Sequence, residues 1–105
     1  MSKLNDINYL HQLYDTYGSL LTSKQKDNFE LYYFEDLSLA EIAEELNISR
    51  NAVHNNLQAS INHLNNYEEN LNIVSKKNMI IKYLKSIEND SSLEKEKINK
   101  IIEML

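Results

Sequence analysis

Apolar residues recur along this chain every three to four positions and nowhere alternate with polar ones over a useful length. That is the period of the α-helix, not of the β-strand. Ile7, Leu10, Leu13 (or Tyr14) and Tyr17 mark a first helix starting at Asn5 or Asp6. Gly18, just past the last periodic residue, suits the left-handed position that closes a helix. Thr22 with Gln25 reads as a capping box. It opens a second helix with Phe29, Tyr32 and Tyr33 (or Phe34) on its apolar side, ended by Asp36 and Leu37. Ser38 with Glu41 repeats the box and opens a short helix with Leu39, Ile42, Ala43 and Leu46. After a turn at Asn47-Ile48, Ser49 caps a longer helix from about Arg50 to about Asn70. At about 100° per residue, its Val53, Leu57, Ile61, Leu64, Tyr67 and Leu71 fall on one face. Ser75 can cap a fifth helix with Met79, Ile80, Tyr83, Leu84 and Ile87 on one side and Lys82 and Lys85 on the other. Ser91 with Glu94 caps a sixth, carrying Ile98, Ile101 (or Ile102) and Leu105.

The pattern predicts an all-α helical bundle with one long helix and C-terminal helices. Residues 1–74 form a helix-turn-helix domain, and residues 75–105 form a helical extension packed on it. Leu57, Leu64 and Leu71 stand one heptad apart, so the long helix also offers a seam for a homodimer. The chain's own first and last helices are the competing cover for that stripe.

Leu39 to Leu57 carries the functional signal. A short helix, a tight turn and a Ser-capped second helix are the parts of a helix-turn-helix. Ala43 is small where two helices cross, Ile48 plugs the turn, and Ala52 and Val53 pack the second helix onto the first. The turn position often held by Gly is Asn47, which tolerates the left-handed conformation better than most residues. Such a motif presents the start of its second helix to the major groove. Here that surface is Arg50, Asn51, His54, Asn55 and Gln58. Arg can read guanine, and Asn or Gln can read adenine.

Charge tempers this picture. The 105 residues carry a formal net charge of −5. Residues 1–74 hold four basic and eleven acidic side chains, and residues 75–105 hold seven Lys and five acids. No acid lies between Ser49 and Tyr67, but Arg50 is the one fixed positive charge there. Phosphate neutralisation drives much of nucleic-acid affinity, so Lys76, Lys77, Lys82 and Lys85 are the alternative electropositive group. The chain has one Gly, no Pro and no Cys. That removes disulfides, thiolate catalysis, Cys-based zinc sites and glycine-rich phosphate cradles. His54 and His63 are nine residues apart, on opposite sides of one helix, and form no ligand pair. No catalytic, cofactor or metal site is expected. The pairs Glu44-Glu45 and Glu68-Glu69 read as exposed, solubilising surface. Without a long apolar run or a signal peptide's apolar stretch, the chain reads as soluble, cytoplasmic and not membrane-inserted.

Tyr17-Gly18-Ser19-Leu20-Leu21-Thr22, Lys24-Gln25, Leu31-Tyr32-Tyr33, Asp36-Leu37-Ser38-Leu39, Glu41-Ile42-Ala43-Glu44 and Ile48-Ser49-Arg50 together resemble the YlxM family. The resemblance covers roughly residues 9–73. It implies a fold similar to region four of RNA polymerase sigma factors. That family is encoded beside the genes of the signal recognition particle GTPase and its receptor. The resemblance therefore implies an accessory or regulatory role in protein targeting, with the GTPase, its RNA, or both as partners. Two departures stand out. Asn51-Ala52-Val53 replaces the family's usual Gln-Ala-Val, and His54-Asn55-Asn56-Leu57-Gln58-Ala59 stands where an acid and then a Lys-Arg pair are usual. The alternatives are a regulator of transcription that binds duplex DNA, and an adaptor that binds protein without nucleic acid.

Overall fold

The computed structural model describes residues 3–89 and 94–104, with side chains for 7–87 and 94–104. Among the described residues every regular element is helical: α1 (Lys3–Tyr17), a 3-10 turn (Gly18–Leu20), α2 (Ser23–Tyr33), α3 (Leu39–Leu46), α4 (Arg50–Leu71), α5 (Ile73–Asn89) and α6 (Glu94–Met104). The all-α class read from periodicity is the class observed. The chain divides into two compact units, Met1–Asn70 and Leu71–Leu105. Among the described residues no helix is long and apolar enough to cross a membrane.

The starts of α2, α3 and α4 follow from their caps. Thr22 Oγ1 accepts from the Gln25 amide at 3.2 Å, while Gln25 Oε1 accepts from the Thr22 amide at 3.1 Å. Ser38 and Glu41 make the same reciprocal pair at 3.1 and 2.9 Å. Ser49 Oγ accepts from the Ala52 amide at 3.0 Å. Each bond satisfies a donor that the helix itself cannot.

Three boundaries differ from expectation. α1 begins at Lys3, before Asn5. α5 begins at Ile73, because only Asn72 interrupts the helical path after Leu71. The Lys76 amide already donates to Asn72 O at 3.0 Å, so Ser75 lies inside the first turn and does not cap it. The Ser91 cap and the terminal Leu105 lie outside the described residues.

Left-handed backbone falls on Asp36 (φ 61°), Asn47 (φ 54°) and Asn72 (φ 58°), and not on Gly18. Asp and Asn enter this conformation more readily than other residues with a side chain. Gly18 opens the 3-10 turn instead. What it lacks is room: a Cβ there would meet Tyr14 Cε2 at 3.0 Å and Cδ2 at 3.1 Å.

Leu13, Tyr17 and Phe29 are fully buried in the first unit. Along α4 the buried positions are Val53, Leu57, Ser60, Leu64 and Glu68. Ile61 and Tyr67 are only half-buried, and Leu71 is exposed. A straight helix turns 3.6 residues per turn, so heptad-spaced positions drift about 20° per repeat. Small Ser60 and hydrogen-bonded Glu68 take the inward places. The Ser60 hydroxyl donates to Asn56 O at 2.7 Å, and the Glu68 carboxylate accepts from the Tyr17 hydroxyl at 2.5 Å. Glu68 is therefore interior, and only Glu69 fits the solubilising role expected of the pair. Of the three heptad leucines, Leu57 and Leu64 are buried within the chain, and Leu71 is exposed.

Candidate nucleic-acid interface

α3, its turn and the start of α4 build the motif. Ile42, Ala43, Val53 and Leu57 form one buried cluster, with Leu31, Tyr33, Leu37, Leu39 and Leu46 packed against it. Val53 is fully buried, as expected, and Ala43 is 8% exposed. The turn closes through backbone. With Asn47 left-handed, the Ile48 amide donates to Ala43 O at 3.0 Å and the Asn47 amide donates to Glu44 O at 3.3 Å. This bond pair is the Schellman arrangement. Ile48 does not plug the turn with its side chain, which is 36% exposed. A main-chain lock makes the apolar plug unnecessary.

That lock and the Ser49 cap set where α4 begins, and so which side chains face water. Arg50, Asn51, His54, Asn55 and Gln58 are all exposed. At about 100° per residue they occupy an arc of about 140°. Val53 and Leu57 from the same turns are buried. Among the described residues nothing holds Arg50 in a hydrogen bond or ion pair. The positive end of the α4 dipole adds to its charge. Exposed Glu44 and Glu45 at the end of α3 are the acids nearest in sequence.

Lys76, Lys77, Lys82 and Lys85 are exposed on α5, in the second unit. They do not form one face. Lys76 and Lys85 are nine residues apart and so about half a turn out of phase, while Lys77, Lys82 and Lys85 share an arc of about 140°. His54 and His63 are both exposed on α4, and the His63 ring stacks on Tyr67 at 6.3 Å. Among the described residues no three His, Asp or Glu side chains cluster closely enough to hold a metal.

By sequence pattern alone, Tyr32 and Tyr33 belong to the apolar side of α2 and Asp36 to its end. In the structure they line a cleft of about 610 Å³ together with Ile7, Leu10, Leu37, Ser38 and Glu41. A signal was present. Adjacent aromatic residues on a helix cannot both point inward, and Asp36 ends the turn where Gly would be easier.

The family described as "Putative helix-turn-helix protein, YlxM / p13 like" matches residues 4–104. The match runs through the C-terminal helices, past residue 73 where the motif resemblance thins. The chain is 44% identical to UPF0122 protein YlxM of Bacillus subtilis over all of its own length and 94% of that protein's. It is 53% identical to a UPF0122 protein of Desulforamulus reducens over 72% of this chain and 62% of that one. A UPF0122 protein of Mycoplasma capricolum is 40% identical over 91% of this chain and 85% of its own. The match thus spans somewhat less than two thirds of the Desulforamulus protein and most of the Bacillus one. An all-helical chain with a packed, capped helix-turn-helix, matched from end to end, belongs to the YlxM/p13-like family of helix-turn-helix proteins.

Proposed function

We propose that this protein is a cytoplasmic accessory factor that regulates signal recognition particle targeting, and that it contacts nucleic acid through the start of α4. One observation carries the nucleic-acid part. Arg50, Asn51, His54, Asn55 and Gln58 share one exposed arc above a packed motif core. These are the residue types that read base edges. The targeting role rests on the family resemblance, with the particle's GTPase and RNA as partners. Arg50 is the one fixed cation of that arc, so contact relies on hydrogen bonds more than on phosphate neutralisation. Duplex DNA regulation uses the same arc. The acidic balance of residues 1–74 favours a second reading, an adaptor held by protein contacts alone.

A pull-down of the full chain from native lysate, with and without nuclease, separates these readings. Retention of the GTPase that nuclease abolishes supports an RNA-bridged factor. Retention that nuclease leaves unchanged supports the adaptor. Failure to retain either particle component contradicts the targeting role.

A further inference from the structure

The cleft beside the motif shares no residue with the Arg50 arc. Its apolar wall is Ile7 and Leu10 of α1 with Leu37 of the α2–α3 connection. Tyr32 and Tyr33 meet edge to face at 4.9 Å, and Tyr32 remains 37% exposed. Asp36 and Glu41 supply the charge, and among the described residues no Lys, Arg or His lines it. One Glu41 oxygen is committed to the Ser38 amide. That bond also holds the Glu41 carboxyl below its ordinary pKa, so it is ionised at neutral pH. Among the described residues the Asp36 carboxylate has no hydrogen-bond or ion-pair partner.

From this combination we infer that the cleft is a docking site for a basic amphipathic segment of a partner protein, one that places an aliphatic side chain beside a Lys or Arg. Charge complementarity selects this occupant. An aliphatic side chain fits the Ile7–Leu10–Leu37 wall, and a neighbouring cation reaches Asp36 and Glu41. Tyrosine faces attract the same cation through their quadrupole. Asp36 and Glu41 make the cleft itself acidic, so it favours a positively charged segment over a nucleic-acid backbone or an anionic membrane. The volume suits a few side chains of a helix laid in a groove, not a whole domain. The inference does not depend on the Arg50 arc: the chain can bind nucleic acid or not and still hold such a segment.

The test uses the isotope-labelled full chain and two synthetic helical peptides, one of Leu and Lys and one of Leu and Glu. The Leu/Lys peptide is expected to shift amides at Ile7–Leu10 and Tyr32–Glu41 and to saturate. The Leu/Glu peptide is expected to leave them in place. Asp36→Asn combined with Tyr32→Ser is expected to weaken Leu/Lys binding about tenfold or more. Asn keeps the left-handed preference at position 36, and a melting curve confirms that the variant folds. Glu69→Gln removes one exposed charge away from the cleft and is expected to change affinity less than about twofold. Equal loss in both variants, shifts spread over all acidic positions, or no saturable binding overturns the inference. Sedimentation supplies the remaining outcome. If the wild-type chain dimerises and the double variant does not, the occupant is a second copy, and a separate partner protein is excluded.

Discussion

The Tyr14 ring lies against Gly18 so closely that a Cβ on Gly18 would meet three ring carbons at 3.0 to 3.2 Å. The ring has little room to retreat. It stacks on Phe29 at 4.5 Å with planes 5° apart, and its hydroxyl donates to Glu30 Oε1 at 2.7 Å. Gly18→Ala is therefore expected to destabilise the protein by about 1–2 kcal/mol through overpacking, with no contribution from backbone strain. Urea unfolding measures it. Tyr14→Ala should remove most of the penalty in a double-mutant cycle, and additive losses would show that Gly18 answers to something other than the ring.

Alkali should expose the same ring. Burial, and then the bond and charge of Glu30, hold the Tyr14 hydroxyl well above its ordinary value of 10.0. Burial also raises Tyr33. The unfolded chain ionises first, so stability is intact below about pH 10 and declines as pH rises beyond it. Tyr14→Phe should make that decline shallower while lowering stability near neutrality by about 0.5–1 kcal/mol. Unfolding followed between pH 8 and 12 checks both effects.

Asn47 joins the two motif helices with φ 54°. Asn47→Gly should leave stability within a few tenths of a kcal/mol, whereas Asn47→Ala should lose roughly 1 kcal/mol. Thermal melts of the two variants compare them directly. Equal melting temperatures would mean that the turn does not require the left-handed residue.

Leu64 distinguishes a core from a seam. It is fully buried, so Leu64→Asp should abolish the cooperative melt, because an unpaired buried carboxylate costs several kcal/mol. A folded monomer arising from a wild-type dimer would restore the seam.

What was legible in the sequence and what was not divides by the range of the interaction. The Thr22–Gln25 and Ser38–Glu41 boxes were readable because each joins residues three apart. The motif core was readable because Ile42, Ala43, Val53 and Leu57 are apolar at helical spacing. The inward turn of Ser60 and Glu68 was not. A polar residue is accepted inside only when a distant donor or nearby carbonyl satisfies it, and Tyr17 is 51 residues from Glu68. Gly18 misled because its usual role is backbone freedom, while here its missing side chain admits Tyr14. The exposed arc on α4 was legible residue by residue. The Tyr32–Asp36 cleft was not, because α1 has to be laid beside it before it exists.

Fluorescence anisotropy of the full chain with labelled duplex DNA and, separately, with signal recognition particle RNA across a salt series tests the proposed recognition by the start of α4 most directly. Wild-type protein is expected to bind one of them with a shallow slope of log K against log salt, about −1, as one fixed cation on the arc requires. Arg50→Ala with Asn51→Ala, both exposed, should reduce affinity about tenfold or more without changing the melt. Unchanged affinity in that variant, or a slope of about −3 that Lys77, Lys82 and Lys85 on their shared arc would produce, would contradict recognition by the start of α4.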